Sequence, residues 1–358
     1  MNFTLLHQIP PSVGHPRNSE GAFLRGKNGE ILFAYSQYCG NSVHDHATCN
    51  IAMIVSDDEG NTWSEPRIIA RASDFGVQNV MSVSAMEQKD GRIGFYFLIK
   101  ENDFTTTLGR VLSEDGGSFT TERCTCDMPP AYYVINNDRL VRLSDGRIVA
   151  PAAYITAEDN QHHTAGTLRH TKYTTTLLVS EDDGRRFTKV ALDLTSDDPV
   201  NEHYGFQEPG LIEYPDRLYL WMRTGYGCQY ESISISGLEG FSTPRPSIFT
   251  SPVSPMQIKT IGNAQYAVYN PIPLYNGRTL LKGMGGRTPL VIRKSEDRGK
   301  SFGPLTVLED DPERGFSYPA ILETRDGGLL LAYCRGSAED GNHLCRLGIS
   351  KLDLTSME

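Results

Sequence analysis

The sequence predicts an all-β protein, a six-bladed β-propeller that forms a single domain over residues 1–358. Two repeats that alternate along the chain carry this prediction. The first is the motif Ser-x-Asp-x-Gly-x-x-aromatic, and a motif that recurs at similar intervals is typical of a repeat architecture. The second is an Asn-Gly or Asp-Gly dipeptide followed by a short apolar run, which is typical of a β-hairpin.

Each copy of the first motif is expected to form a tight turn between two strands. Asp and Ser side chains bond nearby backbone N–H groups, and glycine permits a positive φ angle. The aromatic residue can then pack back onto the sheet. Four copies begin at Ser56, Ser113, Ser180 and Ser295, the second of them one residue shorter, and a degraded copy begins at Ser234.

The second repeat divides the chain into six units. The runs that follow its turns are rich in β-branched, aromatic and leucine residues and are short for helices. Each unit is therefore expected to contain four strands, with a glycine turn after the first and the Ser-Asp-Gly turn after the third, which describes a propeller blade. The turns are Asn28-Gly29, Asp90-Gly91, Asp145-Gly146, Pro215-Asp216, Asn276-Gly277 and Asp326-Gly327.

The last unit ends near Leu354, before any fourth strand. We expect the N-terminal segment Phe3–Gln8 to supply that strand and to close the ring, since closure removes exposed sheet edges.

Composition excludes several classes of function. The net charge of −10 argues against a nucleic-acid partner, which requires a basic surface. No run approaches the ~18 apolar residues of a membrane helix. The seven cysteines include no Cys-x-x-Cys pair, so we expect reduced thiols and neither a metal nor an organic cofactor.

No secretory signal is visible, which predicts a cytoplasmic protein, or a secreted one if a leader was removed. The oligomeric state is left open.

Polar residues occur where the inner strands begin and where the second strands end. Because both kinds of turn lie on one face, these positions must share the opposite face, close to the axis. The candidate site residues there are Arg17, Asp45, Asn137, Asp138, Arg139, Glu208, Arg223, Gln257, Arg287, Tyr318 and Arg335.

The Ser-Asp-Gly motif resembles the Asp box of sialidases and related propellers. Sialidases bring together three arginines, an acid/base carboxyl, a glutamate and a tyrosine, in the chain order Arg, Asp, Glu, Arg, Arg, Tyr. This sequence offers Arg17, Asp45, Glu208, Arg223, Arg287 and Tyr318 in that order. The family usually has Arg-Ile-Pro at its first arginine, whereas Asn18-Ser19 follows Arg17 here, so Arg335 is kept as an alternative third arginine.

The resemblance implies a glycoside hydrolase that releases a terminal sialic acid, or a related 2-keto acid sugar, with retention. Three guanidinium groups would hold the substrate carboxylate. A neutral Tyr318 would be the nucleophile and Glu208 its base. Asp45 would protonate the leaving oxygen and then activate water, which asks for a raised pKa. Asn137, Asp138, Arg139, Gln257 and Arg335 are further pocket candidates, and the partner is a sialylated or other acidic glycan.

Two alternatives stay open. One is a hydrolase or lyase for a different acidic sugar, such as a uronic acid glycoside; a lyase would use tyrosine and histidine in place of tyrosine and glutamate. The other is a non-catalytic glycan-binding propeller, for which the arginines alone would suffice. Fold does not decide among these.

Overall fold

A computed structural model describes residues 2–156, 172–198, 204–272 and 287–357. This part of the chain is all-β: it contains no α-helix, only short 3-10 segments at Ala72–Phe75 and Leu354–Met357. Among these residues, no helix has the length and apolar character needed to cross a membrane.

The strands follow one another in the alternation that the sequence predicts. Those of the N-terminal half are β1 (Phe3–Ile9), β2 (Asn18–Arg25), β3 (Ile31–Tyr38), β4 (Cys49–Ser56), β5 (Arg67–Ala70), β6 (Asn79–Glu87), β7 (Ile93–Lys100), β8 (Thr106–Ser113), β9 (Thr120–Arg123), β10 (Thr125–Asp127), β11 (Ala131–Val134), β12 (Val141–Arg142), β13 (Ile148–Thr156), β14 (Thr174–Ser180) and β15 (Arg186–Lys189). Those of the C-terminal half are β16 (Gln207–Tyr214), β17 (Arg217–Arg223), β18 (Cys228–Ser234), β19 (Arg245–Thr250), β20 (Gln257–Ile261), β21 (Ala264–Tyr269), β22 (Leu290–Ser295), β23 (Thr306–Glu309), β24 (Ser317–Glu323), β25 (Gly328–Cys334) and β26 (Leu347–Asp353).

These strands form five hydrogen-bonded sheets in a propeller-like arrangement, rather than six separate ones. Three sheets have four strands each, in the orders β16-β17-β18-β19, β20-β21-β22-β23 and β24-β25-β26-β1. A six-stranded sheet contains β10 to β15, and an eight-stranded sheet contains β2 to β9. The first two predicted units share the eight-stranded sheet because Cys49 and Asn79 form a parallel bridge between β4 and β6.

The N-terminal strand joins the last sheet, as the incomplete sixth unit predicts. β1 pairs antiparallel with β26 along Phe3–Ile9 and forms the outermost strand. The first and last sheets also pack face to face, with Phe33 and Ile54 of one sheet in the same buried cluster as Leu330 and Ile349 of the other.

The Asp boxes form the turns that their residues predict. In the first copy, Ser56 Oγ accepts a hydrogen bond from the N–H of Gly60 at 2.9 Å, and Asp58 Oδ1 accepts one from the N–H of Thr62 at 2.8 Å. Gly60 has a φ of 87°. Trp63 Nε1 donates to the carbonyl of Gly60 at 2.9 Å, which holds the aromatic ring over the turn.

One predicted hairpin is misplaced. The first hairpin of the fifth unit lies at Gly262-Asn263, between β20 and β21. Gly262 has a φ of 57°, which satisfies the turn there. The turn predicted at Asn276-Gly277 lies outside the described residues.

Candidate active site

Left-handed residues lie in four of the innermost strands and in the turn before β12. Glu20, Ser82, Asp138, Glu208 and Tyr318 have φ angles of 56°, 63°, 54°, 44° and 57°. Such angles are uncommon for residues other than glycine and cluster at functional sites. In β2, β6, β16 and β24 the pairing register shifts around the left-handed residue. A β-bulge of this kind re-aims a side chain.

Two pairs of these left-handed residues meet. Ser82 Oγ donates a hydrogen bond to Glu20 Oε2 at 3.0 Å, and the Tyr318 hydroxyl donates one to Glu208 Oε1 at 2.9 Å. Residues far apart in sequence are therefore in direct contact.

Tyr318, Glu208 and Arg223 form one connected group. The second oxygen of Glu208 accepts a short hydrogen bond from Arg223 Nη1, while the first accepts from Tyr318. Burial, followed by the negative charge of Glu208, raises the pKa of Tyr318 well above its usual range. The hydroxyl is consequently neutral and donates its hydrogen bond to the Glu208 carboxylate.

Arg287 lies beside this group. Its guanidinium carbon is 5.4 Å from the centre of the Tyr318 ring. Its Nη1 donates to Ser317 Oγ at 3.2 Å and lies 3.0 Å from His343 Nε2, and its Nη2 donates to the carbonyl of Val253 at 3.3 Å. Among the described residues, the polar contacts of Arg287 are with neutral groups or with His343, and no carboxylate forms an ion pair with it.

Arg17 lies in a second group with Asp45 and Glu20. Its Nη1 contacts Asp45 Oδ1 at 2.5 Å, and its Nη2 contacts Glu20 Oε1 at 3.3 Å. Nε donates to Ser19 Oγ at 3.0 Å, and Nη1 also donates to the carbonyl of Val43 at 3.1 Å. The residue is only 1% exposed.

The environment of Asp45 lowers its pKa, contrary to the raised value expected for its role. Desolvation opposes ionisation, but the charges of Arg17 and Lys100 outweigh it and hold the pKa of Asp45 well below its usual range. The side chain is nevertheless 57% exposed. Asp45 is thus an ionised carboxylate that is anchored on one side and open to solvent on the other.

The two groups are electrostatically coupled. The charge of Glu20 contributes to the raised pKa of Tyr318, and burial raises the pKa of Glu20 itself against the lowering effect of Arg17. Glu20 and Ser82 are site residues that the sequence analysis did not select. The signal for Glu20 is a shared pattern: a bulge residue stands two positions before a small residue in Glu20-Gly21-Ala22, Glu208-Pro209-Gly210 and Tyr318-Pro319-Ala320.

Four further candidates form an internal network. Asn137 Nδ2 donates to the carbonyls of Gly21 at 2.8 Å and of Tyr318 at 3.1 Å, so it links three units.

Arg139 donates to Gln257 Oε1 and, at 2.6 Å, to the carbonyl of Met256, while Asp138 pairs with Lys259 at 3.0 Å. Burial, partly countered by Glu208, lowers the pKa of Arg139 to about 10.

Arg335 lies elsewhere. Its Nη1 donates to Gln8 Oε1 at 2.9 Å, and its Nη2 pairs with Glu309 Oε1 at 3.4 Å. The residue follows β25, as predicted, but Gln8 and Glu309 are outside both groups described above. The expectation that Arg335 lines the pocket or completes the arginine set is therefore not supported by its contacts, because neither partner belongs to those groups.

No cluster of three or more potential metal ligands was found in the part of the chain that the structure describes.

The fold is similar to that of several solved structures. A protein of unknown function from Dyadobacter fermentans DSM 18053 is 18% identical with a TM-score of 0.71, over 98% of this chain and 99% of that one. A Hadza microbial sialidase is 14% identical with a TM-score of 0.72, over 96% of this chain and 67% of that one. A leech intramolecular trans-sialidase is 15% identical with a TM-score of 0.70, over 99% of this chain and 70% of that one.

No curated protein matches the chain. The model of the BNR repeat-like domain matches residues 34–331, which is most of the chain. The Asp-box turns and the arrangement of the sheets agree with this match. The protein therefore belongs to the BNR repeat-like domain family and has the fold of the sialidase superfamily.

Proposed function

We infer that the five sheets represent six blades of one closed ring. The eight-stranded sheet contains two antiparallel runs, β2 to β5 and β6 to β9, whose one strand pairing with each other among the described residues is the Cys49–Asn79 bridge. Counting these runs separately gives six units. The pairing of β1 with β26 and the packing of the first sheet against the last support closure.

We propose that the protein is an exo-acting glycoside hydrolase of sialidase type. It would release a terminal sialic acid, or a related 2-keto acid sugar, from an acidic glycan with retention. The observation that carries this proposal is the hydrogen-bonded group of Tyr318, Glu208 and Arg223, with Arg287 beside the tyrosine ring.

The first step would form a bond between the Tyr318 oxygen and the anomeric carbon. A neutral tyrosine suits a substrate that carries a carboxylate on that carbon, since an anionic nucleophile would be repelled. Glu208 accepts the phenolic proton, and the positive charges of Arg223 and Arg287 attract the substrate carboxylate. The aglycone departs with the electrons of the glycosidic bond.

Asp45 would serve the proton transfers on the leaving-group side. Its lowered pKa suits the second step, in which an ionised carboxylate activates the water that releases the sugar from Tyr318. Protonating the leaving oxygen in the first step is harder, since the carboxyl must first take up a proton. Glycosides of acidic phenols, which need little protonation, are therefore expected to react faster than alkyl glycosides.

A hydrolase for a uronic acid glycoside is the second candidate. It is favoured by the state of Arg17, whose contacts with two carboxylates occupy most of its N–H groups, whereas Arg223 contacts one carboxylate and Arg287 contacts none among the described residues. The lyase alternative has less support, since Tyr318 bonds to a glutamate and not to a histidine.

The test is hydrolysis of a fluorogenic α-sialoside beside a small panel of 2-keto acid and uronic acid glycosides. Tyr318→Phe should abolish turnover and leave the melting temperature nearly unchanged. Tyr333→Phe is a matched control, since Tyr333 is also buried and donates to a glutamate, Glu309, at 2.6 Å. NMR of the first-formed anomer should show retention. Release from no donor, or full activity of Tyr318→Phe, would refute the proposal.

A further inference from the structure

The guanidinium of Arg17 has little capacity left for a ligand. The guanidinium donates four hydrogen bonds, to Ser19, Val43, Asp45 and Glu20. A guanidinium has only five N–H groups. One face of the planar group is covered as well, since its carbon lies 4.3 Å from the centre of the Tyr38 ring. A bidentate grip on a substrate carboxylate needs two free N–H groups on one edge, and Arg17 does not offer them.

Glu20 holds Arg17 in this orientation. Its carboxylate is 4% exposed, with one oxygen on Arg17 Nη2 and the other on Ser82 Oγ. The left-handed backbone at Glu20 is strained for a glutamate, and such strain persists where surrounding contacts require it. Glu20 and Asp45 occupy different nitrogens of one planar group, so together they fix the plane of the guanidinium.

From these contacts we infer that Arg17 and Glu20 are positioning residues for Asp45, and that Arg223 and Arg287 alone bind the anionic group of the substrate. Asp45 sits on an exposed loop between β3 and β4, and Arg17 anchors its carboxyl there. This inference rests on the proposed function for the identity of the substrate. The contacts among Arg17, Glu20 and Asp45 do not depend on that identity.

The charged and titratable groups that act on Asp45 come from several elements. They are Arg17, Glu20, Tyr38, His44, His46, Lys100, Tyr132 and Tyr173. Arg17 is the largest favourable influence on the ionised carboxylate, followed by Lys100. Removing Arg17 and the charge of Glu20 together should therefore let Asp45 titrate closer to the ordinary aspartate range.

The first experiment measures binding of N-acetylneuraminic acid, D-glucuronic acid and the methyl ester of each by calorimetry. Arg287→Met should weaken binding of the preferred acid by about tenfold or more, because a charge-assisted contact is lost. The acid should then bind no more tightly than its methyl ester. In the double variant R17M/E20Q, the ratio of the affinities for the acid and its methyl ester should stay within about threefold of the wild-type ratio. Equal loss of acid preference in R17M/E20Q would overturn the inference.

The double variant avoids a buried, unpaired charge, which could prevent folding. Arg17→Met alone would leave Glu20 buried without its partner, so the double variant removes both charges at once. The matched control is R335M/E309Q, which removes another largely buried Arg–Glu pair that lies outside the site. This control should change neither the acid preference nor the titration of Asp45.

The second experiment needs no ligand. Carbon-13 NMR of the aspartate carboxyl carbons, with Asp45→Asn to assign the signal, should show Asp45 ionised at pH values below the ordinary aspartate pKa of about 3.9. In R17M/E20Q the midpoint should rise toward that value. An ordinary midpoint in wild type, or no shift in the double variant, would overturn the positioning role. Binding of neither acid, with this shift observed, would refute the proposed function and leave the positioning role intact.

Discussion

The Asp-box turns and the left-handed residues of the inner strands are two kinds of irregularity in the same sheets. In the first turn, Glu59 and Gly60 both have a positive φ, and the hydrogen bonds that close the turn are local: Gly60 and Thr62 each bond to a residue four positions earlier. In the inner strands, glutamate and tyrosine residues have the positive φ, and Tyr318 forms a hydrogen bond with Glu208, which is 110 positions away. Local contacts build the turns of the scaffold, whereas the site depends on contacts that exist only after the whole chain has folded.

The largest expected difference between the two regions is in catalysis. Glu208→Gln keeps the shape of the side chain but removes the base that faces Tyr318, and loss of a general base costs about 10²- to 10⁴-fold in rate. Asp58→Asn, in an Asp box, should leave the rate within about twofold, since the turn is remote from the site residues. Steady-state rates on the best donor of the panel measure both. A comparable rate loss in Asp58→Asn would remove the distinction.

A smaller effect is expected on stability at the axis. Asn137→Ala removes two buried hydrogen bonds and leaves the carbonyls of Gly21 and Tyr318 unsatisfied, at a cost of about 2–3 kcal/mol in free energy of unfolding. Denaturant unfolding measures this change.

Asn136→Ala is the control for Asn137→Ala. Asn136 is also buried, but its Nδ2 has no hydrogen-bond partner. Its loss should cost less, about 1 kcal/mol. A cost for Asn137→Ala no greater than that of Asn136→Ala would show that the links across the axis contribute little.

The smallest effect concerns the stability of the folded protein at low pH, through Asp297 in an Asp-box turn. Hydrogen bonds from Ser301 lower the pKa of Asp297 to about 2. A carboxyl with a depressed folded-state pKa stabilises the protein above its unfolded pKa, about 3.9, and this contribution disappears as pH falls through the folded value. Asp297→Asn should therefore reduce the loss of melting temperature between about pH 4 and pH 2. Identical curves for the variant and wild type would contradict this.

The same contrast explains how much the sequence could predict. Four Asp boxes and the turns at Asp90-Gly91 and Pro215-Asp216 were located because their stabilising contacts lie within a few residues. The position of the fifth hairpin could not be predicted because its turn is Gly262-Asn263, the reverse of the Asn-Gly dipeptide that is typical of such turns.

Only some contacts of the candidate site residues follow from the sequence. The need of a tyrosine nucleophile for an adjacent base predicts that Glu208 lies beside Tyr318, and the two residues do form a hydrogen bond. The state of Arg17 could not be predicted, since it depends on Glu20 and Asp45 approaching from two different elements. Arg335 was selected for its place at a strand end, but its charge is paired with Glu309, a partner that no local pattern reveals.

The left-handed position in the inner strands separates chemistry from architecture. Glutamate, serine and tyrosine all occupy it within this one chain, with φ angles between 44° and 63°. Replacing one of these side chains changes the charge or nucleophilicity at the axis without altering a hairpin, although Tyr318 also belongs to a buried hydrophobic cluster. Divergence in substrate among proteins with this fold is therefore expected to concentrate at these few positions, while the Asp-box turns stay the same.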